Sequence, residues 1–405
     1  MSKKIKEEIK ELGPGIITGG AGDDPAGILT YTIVGATTGF SQLWLMILST
    51  PMMIAVQDTA AKLALITGKS LPEILNMYYS KRLTYFIVLS LVVANILTIG
   101  ADLQAIASIF EVITGIKSIY FLIPITLLVA YLVIFKQYKT VKKVLIFLTS
   151  VLVVYIFSAV LAKPSLKDLV INTFLPHIEA NLAFVLAALG LLGTTISPYM
   201  IFWQASEEKE EHASVSQAKI MTFDTAVGMV YSNLIAYGII VSSAVMLFGH
   251  KEIQTIKDAA LALLPVAGEY AFFLFSVGVV VAGFLAVPVL AGSSAYAVAD
   301  TFGWREGMDN KVSDAKGFYL VFLGSLFVGD LINLLGISAV DALYYSQVFD
   351  GILLPILSGL LFVLGNNRKI LDDNVNGKFN NFFLILTFLI SLTATVYMFY
   401  SFLKP

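Results

Sequence analysis

A chain of 405 residues that is 58% hydrophobic and only 13% charged, with mean hydropathy +0.84, reads as an all-α polytopic membrane protein rather than as two or three soluble domains. Its net charge of −2 gives no reason to expect nucleic-acid binding, and the absence of cysteine excludes disulfides and thiolate metal sites. The charge-mixed start, MSKKIKEEIKE, does not have the form of a cleavable signal peptide, so the first membrane segment is expected to act as its own uncleaved signal.

Residues 1–12 are expected to form a cytoplasmic segment. Gly13 to Phe40, GPGIITGGAGDDPAGILTYTIVGATTGF, is then long enough to cross a bilayer, yet its middle carries Gly19, Gly20, Gly22, Asp23, Asp24 and Pro25. An unpaired carboxylate at membrane depth costs roughly 2.5–3.5 kcal/mol even on lenient insertion scales. Proline gives no amide to the helix ladder and glycine eases unwinding. The physical solution is a helix broken inside the membrane, with freed carbonyls and the two aspartates facing a protected cavity. Carbonyl and carboxylate oxygens together suit a hard cation.

Apolar runs continue at 42–66, 84–112, 119–135, 144–162, 182–204, 221–248, 270–298, 317–337, 342–365 and 379–402, which with 13–38 makes eleven expected spans. With the N-terminus inside, 20 of the 26 Lys and Arg fall in or beside the inner connections and six in the outer ones. That positive-inside bias places the C-terminus outside, in a cytoplasmic membrane. Between the second and third spans, SLPEILNMYYSKR begins with the capping pattern Ser70, Pro72, Glu73 and is expected to lie along the inner interface. The run SEEKEEH at 206–212 and the segment 366–381, with Asp372 and Asp373, are expected to be solvated inner loops.

The sixth run, NLAFVLAALGLLGTTISPYMIFWQAS, is interrupted in its turn by Gly190, Gly193, Thr194, Thr195, Ser197 and Pro198. Spans one and six therefore share a mid-membrane break and run in opposite directions. This is the signature of an inverted 5+5 repeat, 13–180 and 181–365, with an inner loop and one extra helix at 366–405. The whole is expected to be a single membrane domain.

The residues GPG…DDPAG in the first span, TTISPY in the sixth and SQVFDGILLP in the tenth resemble the Nramp divalent-metal transporters, whose members usually carry Asp-Pro-Gly-Asn and Met-Pro-His at these places. The resemblance runs through almost the whole chain and lies nearest a divergent prokaryotic branch that includes Nramp-related magnesium transporters. It implies an alternating-access transporter for a divalent cation, with that ion as substrate, the lipid bilayer as partner and no cofactor or catalytic residue. The metal-binding aspartate falls on Asp24, with the carbonyl three residues earlier on Ala21. The usual Asn falls on Gly27, the Met on Ser197, the His on Tyr199 and the exposed carbonyl of the sixth span on Thr194. Gln347 matches a polar position that turns toward the ion, and Asp23 is an added carboxylate.

These departures change the expected chemistry. A thioether favours softer transition metals, so Ser197 in its place leaves an oxygen-only site. With no side chain at Gly27 the site is expected to be roomier, fit for a partly hydrated hard dication, Mg²⁺ and/or Mn²⁺. Acidic positions of the third span that accept the co-transported proton in the family read Asn95 and Ala105, leaving Asp102. The ninth span has no basic residue and only Asp330. Obligatory proton coupling is therefore not expected. Asp102, Tyr199 and Asp350 remain candidates for the pathway or for coupling, while Asp58 and Asp224 read as interhelical hydrogen-bonders. The alternatives are a proton-coupled Mn²⁺/Fe²⁺ symporter of the usual family type and a sodium-coupled amino-acid carrier of the same fold. A GxGD protease reading of Gly20–Asp23 fails for want of Tyr-Asp and Pro-Ala-Leu elsewhere.

Overall fold

The computed structural model describes residues 18–20, 22–135, 150–210, 218–249, 253–308 and 310–403. Among the described residues, eight helices are long and apolar enough to cross a membrane. The remaining three expected spans appear as Pro25–Thr38 with a helical turn at 18–20, as Ile119–Phe135, and as Ser150–Leu161. The N-terminal segment and residues 144–149 of the fifth span lie outside the described residues.

The two interrupted spans sit at the centre. Every residue of Pro25–Thr38 is buried except Ile33 and Thr37, and the sixth span is the most enclosed of the eight, 83% buried over its most apolar stretch. The eleventh, Lys378–Leu403, is only 28% buried and lies at the periphery. The sixth span breaks between Leu182–Thr195 and Pro198–Glu210, where Ile196 and Ser197 leave the helix and Pro198 starts the next one. Its first half packs backbone to backbone on the tenth span, Ala339–Gly365. A Cβ at Gly193 would run into the Gln347 carbonyl, and one at Gly351 into the carbonyl of Leu189. This contact holds Gln347 and Asp350 at the level of the break.

Short connections also follow the sequence. Leu71–Tyr78 is a helix with a complete capping box, Ser70 accepting from the Glu73 amide and Glu73 from the Ser70 amide. Asp58 accepts from Thr222 at 2.5 Å and from Asn380 at 2.7 Å, tying together spans two, seven and eleven as expected of an interhelical hydrogen-bonder. Asp224 is buried in the seventh span.

Other stretches differ from expectation. A helix, Leu166–Phe174, follows the fifth span and turns 119° away from Ser150–Leu161, and short helical turns from Ile256 to Tyr270 lead into the eighth span, Ala271–Phe302. A single turn, Arg368–Leu371, interrupts the 366–381 segment. Within the charged run, residues 206–210 do not form a solvated loop, because the sixth span continues as helix to Glu210 and buries Ser206 and Glu208; residues 211–212 lie outside the described residues. The physical reason is pairing: Lys209 Nζ lies 2.8 Å from Glu73, 2.8 Å from Asp300 and 2.6 Å from Glu306. Glu210 accepts from the Tyr296 hydroxyl at 2.8 Å.

Candidate metal centre

Asp24 stands at the break of the first span as the N-cap of Pro25–Thr38, with Pro25 in the first turn where its missing amide costs nothing. One carboxylate oxygen, Oδ1, accepts from the Gly27 amide at 2.5 Å; the other, Oδ2, has no hydrogen-bond partner. The Ala26 amide donates to Asp102 Oδ1 at 3.1 Å, and Asp102 Oδ2 is likewise unpartnered. Two carboxylates from different spans thus take the free amides of the same helix end, and each leaves one oxygen over. Asp102 is part of the break, brought there by the third span, Lys81–Thr114.

Asp23 accepts from Ser232 of the seventh span at 2.9 Å and keeps Oδ2 unpartnered. Asp350, on the tenth span, faces Asp24 electrostatically and has an unpartnered Oδ1. All four aspartates are at most 1% exposed. Residues 18–38, 83–114, 182–208 and 339–365, which surround them, contain no Lys or Arg. Among the described residues no three acidic side chains converge closely enough to ligate one ion. Among the described residues the carboxylates do not close into a dry cage, which is compatible with an ion keeping part of its water.

The sixth span meets this group from the other side. Ser197 Oγ donates within 2.9 Å of both the Gly193 and the Thr194 carbonyls, bridging acceptors that the break leaves open. Thr194 Oγ1 is buried without a hydrogen-bond partner, and so is Gln347 Oε1, whose amide donates to Ser346 at 3.3 Å. The Tyr199 hydroxyl stands beside the Asp24 carboxyl. Asp23, Asp24, Thr194, Ser197, Gln347, Asp102, Tyr199 and Asp350 are therefore all placed in or beside the two breaks; Ala21 lies outside the described residues.

The space in front of Gly27 departs from the roomy site read from the sequence. A Cβ built there would lie 2.6 Å from Thr194 Oγ1, 3.0 Å from Asp24 Oδ1 and 3.3 Å from the Gly22 carbonyl. The hydroxyl of Thr194 already fills it. Two further partners escape a reading by residue type alone. Asn95 donates to the Leu290 carbonyl at 3.2 Å and to Ser294 at 2.9 Å, bonding the third span to the eighth, and Asp330 accepts from Thr126 at 2.7 Å. Of the three histidines, His177 is in an exposed connection, and His212 and His250 lie outside the described residues.

Two helices broken at mid-span, facing each other beside buried carboxylates in an all-helical bundle with eight long apolar spans among its described residues, define a broken-helix membrane transporter. The chain belongs to the natural resistance-associated macrophage protein-like (Nramp) family, which it matches over residues 15–401. It is 26% identical over 392 residues to the "Divalent metal cation transporter MntH" of Caldanaerobacter subterraneus subsp. tengcongensis, covering 91% of this chain and 88% of that protein. The like-named protein of Chromohalobacter salexigens is 24% identical over 379 residues, covering 91% of this chain and 85% of that one. In structure the chain is similar to the Eremococcus coleocola manganese transporter, with TM-score 0.81 at 15% identity over 100% of this chain and 90% of that one. It is similar also to MhsT in complex with L-phenylalanine, with TM-score 0.65 at 14% identity over 96% of this chain and 98% of that one.

Proposed function

We propose that this chain carries a hard dication, Mg²⁺ and/or Mn²⁺, across the cytoplasmic membrane by alternating access, without obligatory coupling to protons. The N-terminus lies in the cytoplasm and the C-terminus outside. The observation that carries the reading is the buried set Asp23, Asp24, Asp102 and Asp350, each with an unpartnered oxygen and with no basic residue in the segments that hold them. Such a set is costly unless protons or a cation compensate it. Its donors are oxygens throughout, the choice for hard ions, and relatives that cover nearly the whole chain are named divalent metal cation transporters.

The amino-acid carrier alternative is weakened at one point. Carriers of that kind hold the substrate carboxylate on the free amides of a half-helix N-terminus. Here the Ala26 and Gly27 amides are already taken by Asp102 and Asp24. An incoming carboxylate would have to displace them and would meet their charge. The proton-coupled alternative draws on Asp102 and Asp350 beside Asp24, and the same experiment decides it. The purified chain in proteoliposomes is offered Mg²⁺, Mn²⁺ and Ca²⁺ in turn while internal pH is followed. Uptake of Mg²⁺ or Mn²⁺ without acidification is expected; no dication uptake, with binding of an amino acid, would overturn the proposal.

A further inference from the structure

Thr194 enters the site through a different atom from the one its position in the family suggests. Its carbonyl is engaged by Ser197 Oγ at 2.9 Å. Its side chain makes no bond to its own helix. Thr195, next in the chain, makes the ordinary helical back-bond to the Leu191 carbonyl at 2.9 Å. Thr32 in the first span and Thr38 further along it do the same. Thr194 Oγ1 makes no such bond although Thr194 is 1% exposed, and its polar neighbour is the Tyr31 hydroxyl. A buried hydroxyl that declines its own helix, with Asp24 Oδ1 flanking the same Gly27 position, is open to a ligand.

Gly27 makes this placement possible. Since the Cβ position at residue 27 lies 2.6 Å from Thr194 Oγ1, any side chain there would turn the hydroxyl away. With glycine at residue 27, the side-chain oxygen at this point is that of residue 194, on the other break. We infer that the Thr194 hydroxyl, admitted by Gly27, is the neutral oxygen that completes the Asp24 end of the cation site and sets its preference for hard dications. An alcohol oxygen is a hard, uncharged donor, which favours Mg²⁺ and Mn²⁺ over Cd²⁺ without adding a further buried charge.

This inference rests on the divalent-cation reading, and the test separates the two. Thr194→Val keeps the shape and removes the oxygen; Thr194→Ser keeps the oxygen. Gly27→Ala forces the hydroxyl aside, and Gly27→Ala combined with Thr194→Ala removes the clash and leaves the oxygen missing. Each full-length variant is checked for monodispersity and thermal midpoint in detergent. It is then assayed for Mg²⁺ and Cd²⁺ uptake in proteoliposomes and for Mg²⁺ binding by calorimetry.

Loss of one oxygen contact is expected to weaken Mg²⁺ about tenfold in Thr194→Val and in Gly27→Ala, and Cd²⁺ by much less, while Thr194→Ser stays within about threefold of the parent. The double variant is expected to regain any thermal stability lost in Gly27→Ala but not the Mg²⁺ affinity. A Thr194→Val protein with parental Mg²⁺ affinity and Mg²⁺/Cd²⁺ ratio overturns the inference, as does a Thr194→Ser protein as weak as Thr194→Val. A parent protein that takes up no dication is the separate failure of the functional reading.

Discussion

At the scale of single residues, Asp24 does two jobs with two oxygens. Oδ1 caps the half-helix through Gly27, and Oδ2, which makes no hydrogen bond, is the oxygen proposed to meet an ion. The two jobs separate by substitution. Asp24→Asn keeps an oxygen for the cap and removes the charge, so it is expected to lose dication uptake with its thermal midpoint unchanged. Asp24→Ala loses the cap as well, which costs about 0.5–2 kcal/mol, and its midpoint is expected to fall. Substantial uptake by Asp24→Asn would remove Asp24 from the site. Ser197 gives its hydrogen to two backbone carbonyls and keeps its lone pairs. Placing a thioether there by Ser197→Met is expected to move preference toward Cd²⁺ and away from Mg²⁺, and an unchanged ratio in competition assays counts against a direct role. The Asp24–Pro25 pair was legible in the sequence because acid, glycine and proline in an apolar run conflict with an unbroken helix. The Thr194 side chain was not. A threonine in a helix usually bonds its own backbone, and only packing against Gly27, far away in the chain, reveals that this one does not.

At the scale of elements, the sixth span ends in a lock that charge pattern alone concealed. Lys209 ties the second half of that span to the Leu71–Tyr78 helix through Glu73 and to the end of the eighth span through Asp300 and Glu306. Charged residues near one another in sequence are usually solvated; the partners of Lys209 stand 91 and 97 residues further on, or on an earlier helix. Burial, and then a hydrogen bond shared with Asp300, push the Glu306 carboxyl up to about 9. A carboxyl raised in the folded protein stabilises it fully below its unfolded value, and that contribution is lost as pH rises toward the folded value. The thermal midpoint is therefore expected to decline between about pH 5 and pH 9, and the decline to flatten in Glu306→Gln. The chain lacks cysteine, so single-cysteine reporters can be read without background. In Lys209→Gln the lock is broken, and a cysteine placed at Gln204, which accepts from Thr18 at 2.7 Å across the two broken spans, is expected to label faster from the side bearing Lys209. Equal labelling rates would mean that Lys209 holds the helix end without gating it.

At the scale of the whole molecule, the question is what a cation crossing must be linked to. Coupling requires a group whose protonation and ion occupancy affect one another. Along the third span the position that would carry an acid holds Asn95, which does not titrate and is committed to Leu290 and Ser294. Asp330 in the ninth span is bound to Thr126, on the fourth, with no basic partner in its own span. What is left beside Asp24 is Asp102, which spends one oxygen on the Ala26 amide, and Asp350. The span count and the two breaks were readable from hydropathy, because a bilayer imposes the same length on every helix. That Asp102 touches the first break, and so competes for the same helix end as Asp24, depended on how the third span leans, which periodicity does not encode. Its position makes it the one group whose removal tests coupling directly. A metal gradient at equal pH is expected to drive uptake without internal acidification, and a pH gradient alone is expected not to concentrate metal. If acidification accompanies uptake and vanishes in Asp102→Asn, the proton route runs through this carboxylate, and the transporter is a symporter with a single titrating relay in place of a chain of them.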